Sequence, residues 1–161
     1  MGRGLMPFSI VKKPPSVITS GGIPSVFLAG SIEMGLAENW QEKVERELAK
    51  CEVTIYNPRR DDWDSSWEQK MSNHQFCTQV SWELKAMDTA DRILMYFDPS
   101  TKAPISLLEL GLHARGNKSI VVCPNGFWRK GNVDIVCAKY KVTQVQTLDE
   151  AISILKSDLS I

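Results

Sequence analysis

Ile93 to Cys123, ILMYFDPSTKAPISLLELGLHARGNKSIVVC, decides the fold. It opens on five apolar residues, Ile93-Leu94-Met95-Tyr96-Phe97, stopped by Asp98-Pro99, and it closes on Ser119-Ile120-Val121-Val122-Cys123, stopped by Pro124-Asn125-Gly126. Unbroken apolar runs of this length, bounded by turn residues, are strands buried on both faces. Between them Pro104 suits the first turn of a helix carrying Ile105, Leu108 and Leu112. Two buried strands joined by one helix form a right-handed crossover in a parallel sheet.

The alternation extends both ways. Upstream, Val26-Phe27-Leu28-Ala29 ends at Gly30, and Leu36, Trp40, Val44 and Leu48 then recur every four residues, as in an amphipathic helix. Glu52 to Tyr56 reads as a further strand closed by Asn57-Pro58, and Asn73 to Ala90 as a helix with Phe76, Val80, Leu84 and Met87 on one face. Downstream, 132–138 reads as a short helix and Tyr140 to Thr143 as a fifth strand. Thr147-Leu148-Asp149-Glu150 is a capping box opening a last helix. The expected fold is α/β: a flavodoxin-like, doubly wound, five-stranded parallel sheet with helices on both faces. Residues 1–24, with Lys12-Lys13-Pro14-Pro15 and Gly21-Gly22-Ile23-Pro24, read as an extended arm, and 25–161 as the domain.

Composition narrows the function. The 161 residues are 43% hydrophobic and 24% charged, and 19 basic side chains balance 19 acidic ones. That balance argues against a nucleic-acid partner, which calls for a basic surplus. Cys51, Cys77, Cys123 and Cys137 contain no C-x-x-C, and His74 and His113 share no ligand spacing with them, so no metal is expected. The thiols read as buried and free. No secretory run opens the chain and no apolar run is long enough for a membrane span, so a cytoplasmic setting is expected.

Ligands of such sheets bind beyond the carboxyl ends of the strands. Those ends hold Gly30-Ser31, Asn57 to Trp63, Asp98 to Pro104 and Cys123 to Gly126. Two glutamates interrupt the apolar faces: Glu83 lies between Val80 and Met87, and Glu109 between Ile105 and Leu112. A carboxylate on a core-facing stripe is costly unless it is paired or used in chemistry. The start of its helix favours the ionised form of Glu109, while burial opposes it. A nucleophilic role and a structural pairing with Arg59, Arg60 or Arg92 are both open on pattern alone. Gly116-Asn117-Lys118-Ser119 lacks the upstream glycine of a phosphate loop and follows a helix, which excludes that reading.

Four motifs, in order and in register, are similar to the nucleoside 2-deoxyribosyltransferase family. They are Phe27-Leu28-Ala29-Gly30-Ser31; Trp82-Glu83-Leu84 ahead of Ala90-Asp91; Leu108-Glu109-Leu110-Gly111-Leu112-His113-Ala114; and Gly131-Asn132-Val133. The resemblance runs over about residues 25 to 145. It implies cleavage or transfer at the N-glycosidic bond of a (deoxy)nucleoside or nucleoside monophosphate, without a cofactor. Glu109 is then the nucleophile that forms a glycosyl ester, and Glu83 contacts the sugar or assists protonation. Asn132 is donated to a neighbouring subunit's site in a homo-oligomer. The family carries Asp where this chain has Glu83, and a further Asp where it has Ala103; Asp98 stands earlier, at the strand end, as a substitute.

Gly30, Ser31, Asn57, Arg59, Asp62, Trp63, Asp98 and Asn132 complete the expected substrate-binding set. Gly30 and Ser31 would offer backbone amides, Trp63 would stack a base and Arg59 would meet a phosphate. Loop packing of Trp63 and Trp67, and salt bridges from Arg59 and Arg60 to Asp61 or Asp64, are the plainer alternatives. An NAD-cleaving glycohydrolase and a non-catalytic nucleotide-binding module are the competing functions.

Overall fold

Apolar runs that can be covered on both sides occupy the middle of the sheet, and shorter, more polar segments its edges. A computed structural model describes residues 8–33, 37–60 and 64–161. The strands are β1 (Ile10–Lys12), β2 (Ser25–Gly30), β3 (Thr54–Tyr56), β4 (Arg92–Tyr96), β5 (Ser119–Val122) and β6 (Thr143–Val145). All pair in parallel, in the order β1-β3-β2-β4-β5-β6. The helices are α1 (Trp40–Glu47), α2 (His74–Thr89), α3 (Pro104–His113), α4 (Lys130–Tyr140) and α5 (Leu148–Leu159).

Alternate residues of each central strand face opposite layers. Phe27, Ala29, Ile93, Met95 and Val121 pack with Trp82, Ala86 and Met87 of α2, Leu110 of α3 and Val133 and Cys137 of α4. Val26, Leu28, Leu94, Ile120 and Val122 pack with Trp40 and Val44 of α1 and Ala151, Ile152 and Leu155 of α5. Three helices cover one face and two the other.

The sheet has six strands where five were expected. Ile10–Lys12, within the segment read as an extended arm, pair with β3. They carry no apolar run, and Ile10 and Val11 stay exposed. What holds them is backbone hydrogen bonding to an edge that would otherwise stand open. With β1 set aside, the remaining order fits the expected doubly wound arrangement, so the likeness to flavodoxin is loose. The last strand begins at Thr143 and not at Tyr140, because Lys141 adopts a left-handed conformation (φ 56°) that ends α4. Cys123 and Cys137 are buried, whereas Cys51 and Cys77 are half-buried.

The faces of α2 and α3 also depart from expectation. In α3 the inward residues are Ser106, Glu109 and Leu110, while Ile105, Leu108 and Leu112 are 60%, 60% and 56% exposed. Both stripes of this helix are apolar, so periodicity does not choose between them. The small residues Ala103, Ser106 and Ala114 form the stripe that sits close to the sheet. In α2 the inward residues are Gln79, Trp82, Ala86 and Met87, and Leu84 faces outward.

Gly30 ends β2 where the neighbouring strand and α1 leave no space for a side chain. Its φ is 153°, and a Cβ there would lie 2.4 Å from the Tyr96 carbonyl oxygen and 2.7 Å from the Trp40 ring. Backbone on one side and a buried indole on the other leave no room for a side chain. Gly30→Ala is expected to cost at least about 2 kcal/mol by forcing the two strands apart. Urea unfolding measures this; a loss below about 0.5 kcal/mol would show that the contact yields.

Candidate active site

The strand order reverses between β2 and β4. Chain leaving β2 turns towards α1 on one face, and chain leaving β4 turns towards α3 on the other, which opens a crevice at their carboxyl ends. A buried hydroxyl cluster stitches its floor. The Asp98 amide donates to Ser31 Oγ (2.9 Å), and Thr101 Oγ1 bonds the same oxygen (2.7 Å). The Ser31 amide donates to the Tyr96 carbonyl (2.9 Å), which extends the strand pairing and removes that amide from ligand binding.

Asp98 is buried, and both of its oxygens are engaged. Oδ1 accepts from the Ser100 amide (2.9 Å) and hydroxyl (2.7 Å), and Oδ2 from the Glu38 amide (3.3 Å). It organises two loops. Arg59 is similarly committed: Nη1 donates to the Glu38 carbonyl (3.0 Å) and Gln41 Oε1 (3.2 Å), and Nη2 to the Ala37 carbonyl (3.0 Å). Its guanidinium straps the chain ahead of α1. Asn57 is buried, donating to Glu45 Oε1 (2.6 Å) and accepting from the Arg59 amide (3.0 Å). Asp62 and Trp63 lie outside the described residues, and Trp67 stacks under the Arg60 guanidinium, 5.2 Å from its centroid.

Glu83 and Glu109 come together from neighbouring helices. Glu109 is 7% exposed, and burial, followed by the nearby Glu83 charge, pushes its carboxyl up to about 8. Glu83 is half-buried, and burial pushes it to about 7 against the opposing hydrogen bond from Gln79. Desolvation therefore outweighs the favourable end of the α3 dipole, the balance left open by the sequence. Both carboxyls keep proton affinity well above the ordinary carboxylate range, and each is at least partly protonated near neutrality.

Gln79 was not singled out by the sequence reading. Its Nε2 donates to Glu83 Oε1 (2.9 Å) and to the Pro58 carbonyl (3.2 Å), and its Oε1 accepts from Arg60 Nη1 (3.3 Å). The loop after β3 thus acts on Glu83 through one amide. The signal was a polar residue one turn before Glu83. Gln41 was missed as well: it is fully buried, Arg59 fixes its amide orientation, and its Nε2 has no partner among the described residues. Asn132 is exposed in the first turn of α4 and makes no hydrogen bond to the crevice among the described residues. Asp91 accepts from the Ser25 amide and hydroxyl at the opposite end of the sheet, a structural role. No cluster of metal-ligating side chains occurs among the described residues, and no described helix is long and apolar enough to cross a membrane.

The chain is a parallel α/β protein in which two raised carboxyls approach each other from neighbouring helices on one face of the sheet. A model of the nucleoside 2-deoxyribosyltransferase-like family matches residues 23–127, and the chain belongs to that family. The match takes in Gly30, Asp98, Glu83 and Glu109 and stops short of Asn132. No curated protein matches the chain.

The raised carboxyls make stability depend on pH. Their folded values lie above the ordinary 4.5, so the folded state holds these protons more tightly than the unfolded chain. The resulting stabilisation is complete below pH 4.5 and is lost as the pH rises through 7 to 8. Glu109→Gln is expected to match wild type near pH 4.5 and exceed it by roughly 1–3 kcal/mol at pH 8.5. Urea midpoints at the two pH values test this, and an advantage that does not grow with pH would contradict it.

Proposed function

We propose that the protein cleaves the N-glycosidic bond of a (deoxy)nucleoside or nucleoside monophosphate through an ester on Glu109. The observation that carries this reading is the Glu83–Glu109 pair, two carboxyls raised by burial and close enough for the charge of one to raise the other, in a chain from this family. A sugar bound with its anomeric carbon at Glu109 develops positive charge as the base departs, and that charge favours the ionised nucleophile. The proton then resides on Glu83. A Glu109 oxygen forms a bond to C1′ and the C1′–N bond breaks. Its electron pair stays on the base nitrogen, which takes the proton from Glu83.

In the second half, a free base or water attacks C1′, Glu83 recovers a proton from it, and Glu109 is released as carboxylate. The acceptor decides between transferase and hydrolase. No step calls for a cofactor. Gly30 and Ser31 shape the floor, Asn57 and Arg59 hold the flanking loop, and Asp98 holds the loop ahead of α3. Asp62 and Trp63 are assigned to the base or sugar on the strength of their place after β3.

The same reading has the chain self-associate, with Asn132 reaching a neighbour's sugar. Supporting this, the outward face of α3 carries Ile105, Leu108 and Leu112, three exposed apolar side chains within about two turns. A reducing cytoplasm accords with four unpaired thiols.

The test is chromatography of purified protein with nucleosides, their monophosphates and NAD, each with and without a second free base. Base release or exchange is expected, undetectable in Glu109→Ala and reduced by about 10²-fold in Glu83→Gln. Nicotinamide release confined to NAD would favour the glycohydrolase. Nucleoside binding without any product would overturn the enzymatic reading. In size-exclusion chromatography Leu108→Glu is expected to elute as a folded monomer with reduced turnover; an unchanged elution volume would exclude the α3 face as the contact.

A further inference from the structure

The start of α3 is unusual. Its N-cap, Ala103, has a left-handed backbone (φ 47°) and no side chain able to cap, and Pro104 follows at the first helical position. Amides at this end require an acceptor. They find it in another loop: Glu33 Oε1 accepts from the Lys102 amide (3.0 Å) and the Ala103 amide (2.6 Å). Glu33 also has φ 47°.

Among the described residues, five non-glycine positions adopt positive φ. Asn117, Lys141 and Ser160 sit at helix C-termini, where that conformation is ordinary. Glu33 and Ala103 do not. They lie on the two loops that leave β2 and β4, face each other across the switch point, and are bonded to one another. A left-handed backbone in a non-glycine residue is unfavourable and persists where its surroundings enforce it, commonly at functional sites. Glycine at 33 would relieve the backbone and lose the carboxylate.

The other ties between these loops are neutral or aim elsewhere. Ser31 Oγ binds the Asp98 amide and the Thr101 hydroxyl, and Asp98 Oδ2 takes the Glu38 amide. Among the described residues the Trp128 indole also reaches this end, donating to the Lys102 carbonyl (2.8 Å), while Glu33 is the acceptor for the Lys102 and Ala103 amides. Its second oxygen, Oε2, takes no hydrogen bond among the described residues.

We propose that Glu33 is a positioning residue: its carboxylate caps α3 from the opposite loop and thereby sets where Glu109, six residues beyond Ala103, stands in the crevice. The effect on turnover rests on the reading of Glu109 as nucleophile, whereas the effect on Glu109 itself does not. Glu33 acts through the helix backbone and forms no bond with substrate. A displacement of about 1 Å at the nucleophile suffices for a loss near 10²-fold.

Three proteins test this: wild type, Glu33→Ala and Glu33→Gln. Glutamine keeps an oxygen that accepts from both amides. In Glu33→Ala, kcat for base release is expected to fall 10- to 100-fold with KM changed less than about threefold, and Glu33→Gln to recover most of the loss. Hydrogen exchange should show the Lys102 and Ala103 amides protected in wild type and in Glu33→Gln, and exposed in Glu33→Ala. In carboxyl-labelled protein the Glu109 titration midpoint, set jointly with Glu83 of α2, should move in Glu33→Ala and return in Glu33→Gln.

Unchanged kcat in Glu33→Ala, or a loss matched by the unfolded fraction alone, would overturn the proposal. So would an unmoved Glu109 midpoint. If wild type releases no base, the enzymatic reading fails, and the exchange and titration still decide the role of Glu33. Should Glu33→Ala not fold, Glu33→Gln must retain amide protection, wild-type kcat and an unmoved Glu109 midpoint; loss of any of these sinks the proposal.

Discussion

The approach of β2 to β4 at Gly30 governs the rest of the structure. A missing side chain lets the backbone of one strand come against the Tyr96 carbonyl of the next, with the Trp40 ring filling the other side. The Ser31 amide prolongs that pairing by one residue. Beyond this point the two chains must separate, because their helices belong to opposite layers. The crevice follows from parallel strands diverging about a tightly closed seam. It is held open by loops whose polar groups are bonded to one another: Ser31 to Asp98 and Thr101, Asp98 to Glu38, and Arg59 to Ala37, Glu38 and Gln41.

Within that frame the electrostatics separate two kinds of carboxylate. Asp98 is as buried as Glu109, yet it accepts three hydrogen bonds from the protein and serves as structure. Glu83 receives one, from Gln79, and burial raises both glutamates. An acid that accepts three hydrogen bonds from the protein is largely committed to structure, whereas an under-bonded buried pair retains proton affinity. The same deficit that suits the pair for chemistry weakens the fold above neutral pH.

The sequence was most informative where burial is two-sided. The cores of β2, β4 and β5 stand out as apolar runs because no polar residue is tolerated there. The capping box of α5 is equally plain, the Glu150 amide donating to Thr147 Oγ1 (3.2 Å). Strand β1 was invisible, since a three-residue edge is recruited by backbone pairing and leaves no hydrophobic trace. In α3, Glu109 was picked out as sharing a buried stripe with Ile105 and Leu112; it is buried, at the border between the sheet-facing side of the helix and the outward side that those two occupy. An all-apolar helix carries no internal record of which side meets the sheet. Glu33, Gln41 and Gln79 escaped notice because their roles depend on partners 69, 18 and 21 residues away in the chain.

The two faces of α3 connect these strands of argument. Its inner face is made of small residues and one carboxyl, which brings Glu109 against the sheet at the crevice. Its outer face is apolar, and the two residues just before its first turn, Lys102 and Ala103, are held by Glu33 from another loop. A helix with a conventional cap would be positioned by its own sequence. This one is held by the sheet beneath and, just before its start, by Glu33 of the β2–α1 loop, and Glu109 is carried inward on that ten-residue element.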